Sequence, residues 1–218
     1  MDWPPLTIGV QAKASDPIEL MLATFEPSHA FAAGKVLKSW AEKVNKDSGG
    51  RLKVKVFAGG VLGKPPQQYD IVKGGVADIA WTVLGYIGGQ FPLSAVVELP
   101  FMTTNAKGGT PFPFAAVSSF RLGNVTKYHA EVNIGNASFG LLMNEKKYNS
   151  LPDDLKKVID ANSGHAFGDW AAGLIDANDA KQKEVIAVLK GHEIKKVKGA
   201  DLDEYKKILN PMIDEWVG

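Results

Sequence analysis

Residues 49–101 constrain the fold more than any other part of the chain, because they alternate strand patterns with a helix pattern. Residues 51–58 alternate apolar and polar side chains, which predicts a half-buried strand that ends in a glycine-rich turn. A short helix is predicted at 65–72, where prolines open it, and an apolar run at 77–84 predicts a second strand. This order predicts parallel strands joined by a right-handed crossover.

The same pattern extends to both sides of that stretch. Residues 18–25 form an apolar run typical of a buried strand, and residues 30–46 place their apolar side chains on one helical face. Residues 137–144 predict another strand, and the capping-box pattern at 150–153 predicts the start of a helix that continues to residue 189. Shorter patterns predict a strand at 192–197 and a last helix at 202–216. The sequence therefore predicts an α/β fold with a mostly parallel, twisted sheet, flanking helices and long C-terminal helices.

Composition excludes several classes of function. The chain has 25 basic and 24 acidic residues among 218, so it lacks the positive charge that nucleic-acid binding requires. It has no cysteine, which excludes disulfides, zinc–thiolate sites and cysteine nucleophiles. The turn at 59–64 does not match a phosphate-binding loop, because Ala58 and Pro65 stand where that motif needs glycine and serine or threonine.

No catalytic or metal-binding pattern is found. The four histidines, at 29, 129, 165 and 192, are isolated from one another, and no nucleophile has a general base at a recognisable spacing. We therefore expect no enzyme activity, no cofactor and no metal.

Aromatic side chains gather where the loops of the predicted sheet should meet. Ligands of open parallel sheets bind outside the carboxyl ends of the strands, and Phe25, His29 and Tyr86 are predicted at such positions. Trp81 and Phe101 fit either a pocket wall or the core, and both interpretations stay open.

Two charged residues near these loops also have alternative interpretations. Glu98 is a candidate for the site, although such a carboxylate more often caps a loop or pairs with a lysine. Arg121 is the more plausible of the two arginines as a carboxylate fork, against the alternative that its side chain lies over apolar surface.

Several segments together resemble the solute-binding proteins of tripartite ATP-independent periplasmic (TRAP) transporters, the DctP-like family. The resemblance rests on LATFEPSHAF (22–31), GGRLKV (49–54), AGGVLG (58–63), GVADI (75–79), GYIGGQFP (85–92), ELPFM (98–102), VTKYH (125–129) and LLMNEKKYNSLPDDLKKVIDAN (141–162). It implies one lobe of a type II-like periplasmic-binding-protein fold. It also implies an exported, periplasmic protein that binds small organic carboxylates and delivers them to the membrane subunits of the transporter.

The sequence departs from that family in one large respect. Family members have two α/β lobes, and the segment reading like KIRVPG, which carries the arginine that clamps the substrate carboxylate, has no counterpart here. We therefore expect four parts: a signal remnant or disordered arm at 1–15, the α/β lobe at 16–106, a junction at 107–116 where most of the second lobe is missing, and closing strands and helices at 117–218 that pack on the lobe.

The missing lobe has two expected consequences. Half a cleft leaves a ligand solvated, so the affinity for a carboxylate should be weak or absent. Apolar surface should be uncovered near Phe112, Phe114 and Phe120, which favours self-association into a homo-oligomer. The alternative function is a single-domain scaffold, from a natural or an engineered deletion, that only folds or self-associates.

Overall fold

The structure is a computed structural model that describes residues 16–87, 89–91, 98–99, 113–132 and 137–217. The strands are β1 (Ile18–Thr24), β2 (Leu52–Phe57), β3 (Ile79–Val83), β4 (Tyr128–Glu131), β5 (Phe139–Met143) and β6 (Glu193–Lys196). The helices are α1 (Lys38–Asp47), α2 (Gln68–Lys73), α3 (Phe114–Ser119), α4 (Glu145–Ser150), α5 (Asp153–Ala161), α6 (Gly164–Ala187) and α7 (Gly199–Val217). A π-helical segment, Ala32–Leu37, leads directly into α1.

The main sheet has four strands in the order β2-β1-β3-β5. Strand β1 is parallel to both of its neighbours, with Ile18 opposite Leu52 and Leu22 opposite Ile79. Strand β5 is antiparallel to β3 and closes one edge of the sheet. The predicted α/β fold with a mostly parallel sheet is thereby confirmed.

The principal core lies between this sheet and the helices α1, α5 and α6. It consists of Leu20 and Leu22 from the sheet together with Leu37, Trp40, Leu155, Phe167 and other buried apolar side chains. The buried side chains of α1 recur at the spacing of one helical face, as its amphipathic sequence predicts. Trp40 also donates its indole N–H to the carbonyl oxygen of Asn162, at 2.8 Å, which ties α1 to the end of α5.

A second, smaller layer contains a parallel pair of strands, β4 and β6. Phe114, Val117 and Ile186 form its apolar cluster, so the far end of α6 packs here while its first half packs in the principal core. Asp179 of α6 accepts a hydrogen bond from the backbone N–H of Ala115 at 2.8 Å and so fixes the first turn of α3. Residues 117–218 therefore contribute to both layers.

Two expectations about this region need correction. Phe114 was expected at an uncovered surface, but only 5% of it is exposed, because α6 covers it. Phe120 is 42% exposed as expected, whereas Phe112 lies outside the described residues. The helical pattern predicted to continue to residue 189 is two helices, since the backbone turns at Gly164, which has a φ of 60° and is one of the glycines that argue against a single straight helix.

Candidate functional site

The chain after β1 is held in place by the glycine turn that follows β2. The backbone N–H of Gly59 donates to the carbonyl oxygen of Glu26 at 2.7 Å, and that of Gly60 donates to the carbonyl oxygen of Thr24 at 3.0 Å. Gly60 has a φ of 71°, and a Cβ there would lie 3.1 Å from the carbonyl oxygen of Gly63. The turn requires glycine for this close approach, and its N–H groups bind the protein's own backbone.

A π-helical turn begins shortly after this point. Gly34 lies within it, and a Cβ at this position would lie 2.7 Å from the backbone oxygen of Ser28. Only glycine therefore allows residues 28–34 to fold back so tightly. Single π-helical turns widen a helix locally and are frequent at functional sites.

Trp81 lies in β3 and belongs to the principal core. It is 3% exposed, stacks on Phe139 with ring centroids 5.0 Å apart, and meets the edge of Phe167 at 6.1 Å. Of the two interpretations of this residue from sequence, the structure favours core packing.

The indole N–H of Trp81 extends to a carboxylate that sequence reasoning missed. It donates to Oε1 of Glu26 at 3.0 Å, across the parallel pairing of β1 and β3. Burial raises the pKa of Glu26, and this is the largest effect, while hydrogen bonds from Trp81 and from the backbone of Ala33 lower it. An acidic residue directly after the apolar run 18–25 was the available sequence signal.

Phe25, Tyr86 and His29 lie on the solvent side of this pair. Phe25 is half-buried, and its ring centroid lies 5.9 Å from that of Tyr86, which is 48% exposed. His29 is exposed, and its Nε2 lies 2.8 Å from the carbonyl oxygen of Ser119 in α3. Because a carbonyl oxygen only accepts hydrogen bonds, Nε2 carries the proton in this contact.

Of the remaining two predicted site residues, Glu98 and Phe101, the structure describes only Glu98. Glu98 accepts a hydrogen bond from the backbone N–H of Ser138 at 3.0 Å, and a Cβ on Gly85 would lie 2.3 Å from its Oε2. Glu98 therefore joins the end of β3 to the start of β5. Phe101 lies outside the described residues.

The candidate site thus has an aromatic pair, Phe25 and Tyr86, and a half-buried carboxyl group, Glu26, at the carboxyl ends of β1 and β3, while the exposed imidazole of His29 lies against α3. Such a group can stack on a flat ligand and hydrogen-bond to it. Among the described residues, no three His, Asp or Glu side chains are grouped to hold a metal ion. In the same part of the chain, no helix combines the length and apolar character that crossing a membrane requires.

Structures of similar fold are solute-binding proteins. One is a TRAP solute-binding protein from Rhodoferax ferrireducens T118, in complex with copurified benzoate. It has a TM-score of 0.83 and 25% identity, with 92% of this chain and 91% of that chain covered. Another is a TRAP solute-binding protein from a marine metagenome, specific for aromatic acid ligands, in complex with 3-hydroxybenzoate. It has a TM-score of 0.82 and 26% identity, with 93% and 92% covered.

Two curated relatives match shorter stretches. The outer membrane transporter protein TsaT of Comamonas testosteroni is 40% identical over 75 residues, which are 34% of this chain and 22% of that protein. A solute-binding protein of Chromohalobacter salexigens is 33% identical over 73 residues, again 34% of this chain and 22% of its own length. The matched part of this chain therefore spans about a fifth of each relative, 22% in both cases.

The family-level match covers most of the chain. The sequence profile of bacterial extracellular solute-binding protein family 7, DctP, matches residues 23–112 and 108–217. The two matched ranges together contain the candidate site and both layers of the structure except residues 18–22 of β1. This is a family of solute-binding proteins, which agrees with the expectation that the chain is not an enzyme. The chain belongs to the DctP family of bacterial extracellular solute-binding proteins.

Proposed function

We propose that this protein is the periplasmic solute receptor of a TRAP-type transporter and that its ligands are small organic carboxylates, aromatic ones in particular. The observation that carries the proposal is the contact between Phe25 and Tyr86, which follow β1 and β3 in a member of this family, with His29 exposed in the same connection after β1. Two relatives of similar fold were crystallised with benzoate or 3-hydroxybenzoate, which supports an aromatic acid as the ligand class.

The six predicted residues have different roles in this proposal. Phe25 and Tyr86 stack on the ring of the ligand, and the imidazole of His29 donates a hydrogen bond to its carboxylate. The hydrogen bond from His29 to Ser119 is exposed to water, so exchanging it for a charged acceptor costs little. Trp81 supports Phe25 from the core through Glu26, and Glu98 lies behind the site, while Phe101 is included from the sequence alone because it lies outside the described residues.

Affinity in this proposal is limited by how much of a second lobe the chain contains. We assign residues 16–106 to the first lobe, 107–116 to the junction and 117–218 to the closing elements, and we expect the small β4–β6 layer to cover the ligand only partly. A ligand that stays in contact with water gains less from each polar contact than one in a closed cleft. We therefore expect dissociation constants of about 1 mM.

The proposal includes two kinds of protein partner. The membrane subunits of the transporter receive the solute, as in TRAP systems generally. Val125, Tyr128 and Val188 are more than three-quarters exposed, at 81%, 80% and 83%, and they provide apolar surface for self-association.

The test is a thermal-shift series with benzoate and with benzamide, its neutral analogue. For a dissociation constant of about 1 mM, benzoate at 10 mM should stabilise the folded state by about 1.4 kcal/mol, which raises Tm by about 3–5 °C. Benzamide should have no effect, and the His29→Ala variant should lose most of the shift. Equal shifts with both compounds, or a full shift in His29→Ala, would contradict the proposed site.

A further inference from the structure

A cavity of about 500 Å³ opens in the second layer, away from the aromatic pair of the candidate site. Its apolar floor is formed by Val117 of α3, by Ile186 near the end of α6 and by Leu189 just beyond that helix. The volume lies within the range of about 300–1,000 Å³ that is typical of small-molecule sites. None of Phe25, His29 and Tyr86 contributes to its lining.

All charged side chains on the rim of this cavity are positively charged. Arg121, Lys127 and Lys190 line it together with His192, and the lining contains no aspartate or glutamate. Glu193 is a chain neighbour of His192 but does not line the cavity. Clefts lined by one sign of charge concentrate ligands of the opposite sign.

The three cations on the rim have no acidic partner among the described residues, which they share with several other lysines but not with Arg51. Arg51 pairs with Asp154, whereas Arg121, Lys127 and Lys190 form no ion pair with any residue in the described ranges. Their charges are therefore available to a ligand. This contrast makes Arg51 a natural control for Arg121.

The backbone of Arg121 supplies a second, independent observation. Its φ of 55° is the only positive value at a non-glycine position among the described residues, a conformation that costs about 1–2 kcal/mol. Hydrogen bonds at 3.1 Å, from its N–H to the oxygen of Ser118 and from the N–H of Asn124 to its own oxygen, hold that conformation. Residues held in such strained conformations cluster at binding sites.

We propose that this cavity is a binding site for a small oxyanion, a carboxylate or a phosphate. The planar guanidinium of Arg121 provides paired hydrogen bonds to two oxygens, and Lys127 and Lys190 neutralise the remaining charge. The apolar floor accepts any short hydrocarbon part of the ligand. The site goes beyond the proposed function, because it uses none of the residues assigned to aromatic ligands there.

The test is a two-dimensional amide NMR titration of the protein with sodium phosphate and with sodium acetate, against sodium chloride at equal ionic strength. We expect saturable shifts confined to residues around 117–127 and 185–192 with at least one of the oxyanions. Saturation with phosphate alone or with acetate alone identifies which oxyanion the site takes. Identical shifts with chloride would overturn the proposal, because they would report general screening.

Two variants and one control make the result specific. Arg121→Gln removes the guanidinium and its charge but keeps an unbranched polar side chain with the same backbone constraint, and it should weaken oxyanion binding at least about tenfold. Lys190→Gln should weaken it about threefold, because an exposed lysine contributes less. Arg51→Gln should bind as the parent does, and an Arg121→Gln spectrum that is native-like but has unchanged affinity would refute the proposal. Benzoate binding at the Phe25 site should be unaffected in Arg121→Gln. The proposals for the two sites can therefore be refuted separately.

Discussion

Replacing Trp81 with phenylalanine tests whether this residue supports the site from the core. The substitution removes the indole N–H that Glu26 accepts at 3.0 Å, and hydrogen bonds to charged groups contribute about 1.5–3 kcal/mol. It also shortens the ring that stacks on Phe139 and leaves a small void in a site that is 3% exposed, which costs about 1 kcal/mol. Together these losses lower the free energy of unfolding by about 3 kcal/mol, or Tm by about 6–12 °C.

The assay is thermal unfolding at pH 7.5, followed by far-UV circular dichroism, with Trp216→Phe as the matched control. Trp216 is 46% exposed, so the control should change stability by less than about 0.5 kcal/mol. The pKa of Glu26, measured by NMR, should also rise further in Trp81→Phe, because the indole N–H lowers it in the parent. Equal Tm losses in the two variants would refute the assignment of Trp81 to the core.

Three further substitutions test other parts of the site. Glu26→Gln should raise Tm at pH 7 but leave it nearly unchanged below pH 4.5. Because the folded pKa of Glu26 is raised above its ordinary value of 4.5, the parent loses stability as pH rises from 4.5 through the folded pKa, and glutamine does not titrate. A Tm difference that does not change with pH would contradict this. Gly34→Ala should lower the free energy of unfolding, measured by urea denaturation, by about 1–3 kcal/mol, because its Cβ would lie 2.7 Å from the oxygen of Ser28. An unchanged free energy of unfolding would mean that the turn relaxes easily. Phe139→Leu should cost about 1 kcal/mol in the same assay by removing the stack on Trp81, and no loss would show that the stack contributes nothing to stability.

Strands of the principal sheet could be predicted from the sequence because their signal is local. The apolar runs at 18–25 and 77–84 contain β1 and β3, and their ends agree with the strand ends to within two residues. Strand β4 was indicated only by the family resemblance of VTKYH (125–129) and not by periodicity, because Tyr128–Glu131 lacks an apolar alternation and is stabilised by pairing with β6, over 60 residues away in the chain.

A local signal was also misleading in one place. The capping-box pattern at 150–153 predicted that the Ser150 side chain starts α5, but Ser150 donates to the carbonyl oxygen of Lys147 and so closes α4. Helix α5 begins after Pro152 without a side-chain cap. The same hydroxyl group can satisfy either helix, and the sequence does not rank these two choices.

The sequence predicted the candidate site only to the extent that it predicted where the strands end. Phe25, His29 and Tyr86 follow from the rule that ligands bind beyond the carboxyl ends of parallel strands. The contact between Glu26 and Trp81 depends on the register of β1 with β3, which places Thr24 opposite Trp81. Sequence periodicity predicts that a strand exists but does not determine which residue it faces.

Isothermal titration of the protein with benzoate, with benzamide as the neutral control, tests the central claim most directly. The account predicts saturable binding of benzoate with a Kd of about 1 mM and no heat with benzamide, since a partly covered site binds weakly and requires the carboxylate. The same titration on His29→Ala should show most of the affinity lost. Absence of benzoate binding, or equal binding of benzoate and benzamide, would contradict the account.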